Sequence, residues 1–323
     1  MLANATVIWQ DHKHQSIPVT AMQSYDDNNG LIWFDGTMVP WREAKVHVLT
    51  HGLHYASAVF EGQRSYNGKI FKLEEHTERL IHSATTLGFE LPFSAAEINA
   101  ANYTVLEANN IADGYLRPVA WRGSEMMGVS AQKCSIHVSI AAWEWPSYFT
   151  PEARLKGIRL QWSKWKRPSP ETIPAKTKAA GLYMICTLSK HDAEADGFDD
   201  ALMLDWRGRV AEATGANIFL VINGILHTPI ADCFLDGITR RTVINLARAH
   251  GIETVERIIM PEELSNADEV FVTGTAAEVT PVGQIGNDLN FQVGPITKRL
   301  IEDYTALINS ETETPLPAPV GAN

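Results

Sequence analysis

The chain has 323 residues, 45% of them hydrophobic, and 27 lysines and arginines stand against 38 aspartates and glutamates, a formal charge of −11. That length and apolar content suffice for two cored domains or one large one. An acidic chain without a basic stripe argues against nucleic acid as the main partner, and no stretch approaches the ~18 apolar residues of a membrane span.

Residues 1–15 lack a basic region followed by an apolar one, so no signal peptide is expected. The cysteines, Cys134, Cys186 and Cys233, are odd in number and spaced for neither a zinc site nor a disulfide framework. They are expected to be buried small hydrophobes in a reduced, cytoplasmic protein.

Residues 1–30 are polar and end in Asp26-Asp27-Asn28-Asn29-Gly30, a lead-in that closes on a turn. Leu31 to Val39 reads as a hairpin around Asp35-Gly36. Short β-type runs follow at 45–49 and 58–66, and Asn67-Gly68 signals another hairpin. Leu73, His76, Leu80, Ile81, Ala84 and Leu87 recur at helical steps, which predicts a helix over 73–88 stopped by Gly88. Ser94 with Glu97 three residues on is a capping box, opening a helix over 94–110. Residues 115–122 and 134–143 read as strands, so the first half is mixed α and β.

Trp145-Pro146-Ser147-Tyr148-Phe149-Thr150-Pro151 breaks the pattern and marks a linker. Pro168, Pro170 and Pro174 predict an irregular loop, followed by a helix over 178–196. Strands are expected near 200–205, 217–222, 225–228, 253–258 and 269–273, with helices at 239–250 and 295–309. The tail 311–323 holds three prolines and no apolar period, and reads as mobile.

Four segments point to chemistry. In Asp236-Gly237-Ile238-Thr239-Arg240, a glycine turn enters a helix whose cap would be Thr239; free N–H groups and the helix dipole suit a phosphate. The bland alternative is an ordinary capped helix. In Glu269–Glu278, a strand runs into Thr273-Gly274-Thr275-Ala276-Ala277, small residues that let a ligand approach the backbone. Ile173-Pro174-Ala175-Lys176-Thr177-Lys178 offers two lysines, either of which burial would make nucleophilic, and spacing does not choose between them. Leu202–Glu212 reads as a hairpin delivering Glu212, a carboxylate of the kind that keeps a pyridine nitrogen protonated.

In this order the segments resemble the fold-type IV pyridoxal-phosphate enzymes, and among them the branched-chain-amino-acid aminotransferases, over about residues 31–310. The likeness runs through Val46-His47-Val48-Leu49-Thr50-His51-Gly52-Leu53-His54-Tyr55, Val59-Phe60-Glu61-Gly62 and His76-Thr77-Glu78-Arg79-Leu80. It continues through Tyr115-Leu116-Arg117-Pro118, Met127-Gly128-Val129, Thr172-Ile173-Pro174 ahead of Lys178, and Gly237-Ile238-Thr239-Arg240, and closes on Gly274-Thr275-Ala276-Ala277-Glu278-Val279-Thr280-Pro281.

The resemblance implies an α/β fold of two domains. These would be a small α+β domain (31–148), a loop (149–155) and a large domain with a β-barrel-like sheet and helices (156–310), after an extension (1–30) and before a flexible tail (311–323). It implies that Lys178, not Lys176, carries pyridoxal 5'-phosphate as a Schiff base. Glu212 matches the partner of the pyridine nitrogen, Tyr183 the hydroxyl beside the ring oxygen and Leu235 the side chain against the ring, while Arg79, Ile238, Thr239 and Thr275 match the phosphate cup. Tyr55, Phe60, Gly62, Tyr115, Arg117, Tyr148, Thr275 and Ala276 match the substrate pocket, with Tyr55 acting across a homodimer or a dimer-built hexamer. The implied reaction is ping-pong transfer of the amino group from Leu, Ile or Val to 2-oxoglutarate.

Gln63, Ala213 and Trp121-Arg122 depart from the commonest pattern, and Gln63 is expected to adjoin the pocket. D-amino-acid or (R)-amine aminotransferases and aminodeoxychorismate lyase are the alternatives on the same fold, with a non-catalytic carrier behind them. A NAD-linked Rossmann enzyme is disfavoured, since no Gly-x-Gly-x-x-Gly follows a strand. The pairs His12/His14 and His51/His54 lack further ligands, so no metal is expected.

Overall fold

The structure, a computed structural model, describes residues 24–145 and 156–310. The extension before residue 24, the proposed loop at 149–155, Tyr148, His12, His14 and the tail from 311 lie outside the described residues.

A first sheet holds β1 (Leu31–Phe34), β2 (Thr37–Pro40), β3 (Ala58–Phe60), β4 (Gln63–Tyr66), β5 (Lys69–Ile70), β6 (Gly114–Arg122) and β7 (Ile136–Glu144). Their order is β2-β1-β7-β6-β4-β5, with β3 also on β6. The Asp35-Gly36 turn takes positive φ at both residues, which matches the twist of the strands it joins. The run 58–66 is split at Glu61-Gly62 into β3 and β4. One face of the sheet is covered by α2 (Leu73–Thr86) and α3 (Ala95–Ala108), after a short α1 (His51–Tyr55). Leu80, Ile98 and Val105 of the helices meet Leu116, Val138 and Ile140 of the sheet in one core. The Ser94/Glu97 capping box opens α3.

The second half holds β8 (Ile158–Trp162), β9 (Asp200–Leu204), β10 (Val210–Ala213), β11 (Asn217–Ile222), β12 (Ile225–Pro229), β13 (Thr254–Arg257), β14 (Glu269–Gly274), β15 (Glu278–Ile285) and β16 (Leu289–Asn290), with α4 (Met184–Ala195) between β8 and β9. The order β10-β9-β8-β15-β14-β11 returns to β10 through the Glu212–Asn217 pair, so six strands close into a barrel. Strand alternation explains the two cores around it: Ile218 and Leu220 pack with Val270 and Val272 in one, while Phe219, Val221 and Phe271 pack with α5 (Ile238–Ala249) and α6 (Pro295–Ile308) in the other.

Four expectations are corrected. Residues 45–49 form no strand; they are an exposed loop into α1 and pair with no strand among the described residues. The helix expected from 178 starts only at Met184 as α4, since Lys178 and Ala179 are drawn out by β3 and residues 180–183 form a 3-10 turn. The cap of α5 is Gly237, and Thr239 lies inside the helix. Gln63 faces away from the pocket: it is paired with Leu116, so both side chains point to the core beneath α2 and α3, and its amide is fully buried without a hydrogen-bond partner among the described residues. Ala213 packs in the barrel core. The Arg122 guanidinium donates to the carbonyls of Leu87, Gly88 and Ala131 and braces the end of α2.

Candidate active site

Lys178 reaches the site from extended backbone held by the other half of the molecule. Its N–H donates to Ser83 Oγ (3.0 Å), and its carbonyl accepts from Phe60 N–H (3.1 Å). Its Nζ donates to the Tyr183 hydroxyl (2.7 Å) and lies 4.8 Å from the Phe60 ring centre. Burial, and then the Arg79 charge, lower its pKa to about 8, while Glu61 opposes them. Lys176, two residues earlier, is exposed. The geometry therefore separates two lysines that spacing does not.

A cup lies to one side of this amine. Helix α5 starts at Gly237 without a side-chain cap, so its first N–H groups stay open. Thr239, Thr275 and Arg79 line the same cavity. Arg79 is held by Glu61, which accepts from its Nε (2.7 Å) and Nη2 (2.8 Å). His76 stands 2.7 Å from the same buried carboxylate. Burial raises the pKa of Glu61, but Arg79 and His76 more than reverse this and keep it ionised.

Glu212 from β10 lies on another side. It is buried, and desolvation pushes its pKa up to about 7 against the pull of Arg167, whose Nε is 3.3 Å from Oε1. Asn217 Nδ2 donates to Glu212 Oε2 (3.2 Å) and to the Leu235 carbonyl (2.9 Å), and its Oδ1 accepts from Gly237 N–H. One side chain thus ties the carboxylate to the turn that opens the cup. Lys178, Tyr183, Glu212, Leu235, Ile238, Thr239, Thr275 and Arg79 all line this single cavity.

Thr214, Gly215 and Ala216 also line an adjoining cavity of about 1000 Å³, with Tyr115, Arg117 and Ala276 on its walls. The Arg117 guanidinium lies 4.9 Å from the Phe60 ring centre and 5.2 Å from that of Tyr115, and it donates to the Tyr115 hydroxyl. No carboxylate of the described residues pairs with it. A Cβ at Gly62 would overlap the Tyr115 hydroxyl, so glycine there is what lets Tyr115 take its place. Tyr55 is not brought to the cavity of its own chain: it is 45% exposed, stacked on His51, with its hydroxyl on the Met127 carbonyl.

Sequence reasoning missed Arg167, Asn217, Glu61 and the tryptophans Trp143 and Trp145. Asn217 had a signal, since Thr214-Gly215-Ala216 marks a hairpin turn that sets it opposite Glu212. Arg167, between a lysine and a proline, had none. Trp145, taken as the start of a linker, stands 5.2 Å from the Tyr115 ring and lines the larger cavity. His51 pairs with Ser57 and the Gly128 carbonyl, and His54 with the Val48 carbonyl, so both imidazoles serve the backbone locally. Asp205, Asp232 and Cys233 lie together, with both acids held by Arg207.

The cavity tests well for one cofactor. An open helix start with an arginine suits a phosphate, a buried carboxylate suits a protonated ring nitrogen, and an amine of lowered pKa lies between them. With a closed barrel beside a helix-backed sheet, this defines a pyridoxal-phosphate enzyme of fold type IV. Residues 58–285 match the family described as Amino-transferase class IV, and the chain belongs to that family. It is 42% identical over 296 residues to the branched-chain-amino-acid aminotransferase of Pseudomonas aeruginosa, covering 90% of this chain and 96% of that one. It is 40% identical to the enzyme of that name from Escherichia coli K12, covering 87% and 94%. Among solved structures it is similar to the Escherichia coli branched-chain amino acid aminotransferase, with a TM-score of 0.86, 39% identity and coverage of 90% and 98%. The branched-chain amino acid aminotransferase of Thermobaculum terrenum, solved in its PLP form, matches with a TM-score of 0.79, 33% identity and coverage of 87% and 94%.

Proposed function

We propose that the chain is a pyridoxal-phosphate aminotransferase that moves the amino group of Leu, Ile or Val to 2-oxoglutarate, giving branched 2-oxo acids and L-glutamate. One observation carries the reading: the Lys178 amine is enclosed between an anion cup and the Glu212 carboxylate, with the Arg117 guanidinium, free of any carboxylate among the described residues, across the adjoining cavity. When bound, the cofactor supplies an aldehyde that joins amines and a ring that draws electrons from the carbon losing its proton.

The residues divide the remaining work. Arg79, Thr239, Thr275 and the N–H groups at Ile238 hold the phosphate and so fix the reacting centre. Glu212 would serve the ring nitrogen and Tyr183 the ring oxygen, and Leu235 would pack on the ring, all three lining the same cavity. Lys178 Nζ would take the proton from the substrate α carbon and deliver it to the cofactor carbon that bore the aldehyde, and burial, which lowers its pKa to about 8, favours the neutral amine this needs. Phe60, Gly62, Tyr115 and Ala276 wall the space for an apolar side chain. Arg117 answers the side-chain carboxylate of glutamate or 2-oxoglutarate. Tyr148, outside the described residues, belongs to the same proposed wall.

The proposal includes a division into domains 31–148 and 156–310 with the site between them. It also includes a homodimer, or a hexamer built of dimers, in which Tyr55 enters the partner's pocket. Val46, Val48, Leu49, Leu53 and Val129 support this, because all are apolar, exposed and close in sequence to Tyr55 or to the Met127 that it touches. We place the enzyme in the cytoplasm, where its three buried thiols stay reduced. Among the described residues no helix is long and apolar enough to cross a membrane.

Lys178→Ala is expected to lose the visible absorbance of the loaded enzyme and to slow turnover by roughly 10³-fold or more. Retention of both would end the assignment. Half-reaction spectra with L-leucine, L-isoleucine, L-valine, D-alanine and an (R)-amine test the substrates. Conversion by D-alanine but not L-leucine, or repeated turnover of aminodeoxychorismate to pyruvate without an acceptor, would replace this reading with another on the same fold.

A further inference from the structure

We propose that Ser83 is a positioning residue for Lys178: its hydroxyl fixes the lysine's backbone at a set distance from the phosphate anchor, so that the amine meets the cofactor's aldehyde carbon. The inference rests on the assignment of Lys178 above.

The segment around Lys178 is extended, so no helical carbonyl or nitrogen serves its backbone. Its carbonyl is taken by Phe60 N–H, and Ala179 makes an antiparallel bridge with Val59, which leaves the Lys178 N–H facing α2. Such a buried N–H must find an acceptor. Ser83, with no exposed surface, supplies it from the body of α2 at 3.0 Å. Arg79 and Ser83 stand four apart on that helix, so they share a face one turn apart. Arg79 lines the cup and Ser83 holds the lysine. The bidentate Arg79–Glu61 pair clamps the same helix to the turn between β3 and β4, and β3 carries Phe60. One rigid face thus sets both ends of the cofactor site: the anchor for its phosphate and the amine for its aldehyde.

An alanine at 83 removes the acceptor without touching the cup. The Lys178 backbone is then free to move toward other partners, while the phosphate still binds where it did. The two effects separate experimentally. The full chain is stripped of cofactor, mixed with pyridoxal 5'-phosphate, and the growth of the visible band is followed by stopped flow. Borohydride reduction and peptide mass mapping identify the lysine captured. Affinity for pyridoxine 5'-phosphate, which has the phosphate and ring but no aldehyde, is measured in parallel by calorimetry.

For Ser83→Ala we expect capture at Lys178 about tenfold slower, with the pyridoxine 5'-phosphate affinity within about twofold of the parent. Ser83→Thr keeps the oxygen and restores the rate. Ser83→Cys, similar in size but a weak acceptor, falls between them. Unchanged capture in Ser83→Ala, or a loss of capture matched by a loss of analogue affinity, overturns the proposal, as does Ser83→Thr behaving like Ser83→Ala. If the parent chain itself captures no cofactor at Lys178, the functional assignment fails, and that result is distinct from any difference among the Ser83 variants.

Discussion

Lys178 sits under opposing influences: burial and Arg79 lower its pKa to about 8, and Glu61 pulls the other way. The unfolded chain keeps its lysine protonated up to about 10.5, so between those values it binds more protons than the folded one, and stability rises with pH across that window. Below pH 8 the folded protein carries the full penalty of an enclosed cation, at most about 3.5 kcal/mol at ~1.4 kcal/mol per pH unit. Cofactor-free Lys178→Met is therefore expected to melt above the cofactor-free parent at pH 7, with the difference shrinking toward pH 10.5. Thermal melts across pH check this, and a gap that widens with pH would contradict it. Arg167 acts on Glu212 in a related way. Its charge opposes the burial of this carboxylate, and the balance leaves the pKa at about 7. Without that charge the carboxylate takes its proton at higher pH and no longer answers a ring cation. Arg167→Met is expected to move the acidic limb of the rate–pH profile upward by about one pH unit and to lower the plateau about tenfold, with Arg167→Lys between it and the parent.

At the scale of elements, helices far apart in the chain converge on the cup. Helix α6 sends Tyr304 inward, where its buried hydroxyl lies beside Thr239 and Tyr66 and its ring stands edge-on to Phe71. Tyr66 in turn donates to Glu278 (2.9 Å), just past the Thr275-Ala276-Ala277 turn. Tyr304→Phe keeps the ring and removes the hydroxyl behind Thr239. Cofactor affinity is expected to fall about fivefold, the equivalent of ~1 kcal/mol for one hydrogen bond, and calorimetric titration of the stripped enzyme measures it. Elements carrying their own local signal were legible in the sequence: the Ser94/Glu97 capping box, the Asp35-Gly36 hairpin and the apolar runs of β11 and β14. The segments that carry chemistry were legible through their order. What was not legible depends on distant partners. Residues 45–49 alternate like a strand but pair with none among the described residues. Lys178 lies in a helical pattern but is drawn straight by Phe60 and Ser83, more than 90 residues away in sequence. Gln63 adjoins the pocket in sequence, and only its register with Leu116 turns it to the core.

The whole molecule leaves one question of assembly that its own surface frames. Tyr55 was read as a pocket residue, yet in its own chain it rests against Met127 on the outside, amid Val46, Val48, Leu49 and Leu53, all more than 40% exposed. An apolar strip of this kind marks an interface, and a two-fold pairing would bury it twice over. If Tyr55 serves the partner's site, each pocket draws on Lys178 of one chain and Tyr55 of the other. Two defective proteins then repair each other. Lys178→Ala and Tyr55→Ala homodimers are mixed, dissociated in mild denaturant and reassembled. Half of the dimers formed at random are mixed, and each mixed dimer holds one site with both native residues and one with neither. About a quarter of the parent's site activity is expected to return, and it should require reassembly rather than mere mixing. Recovery that never exceeds the average of the two variants would place Tyr55 outside its neighbour's site.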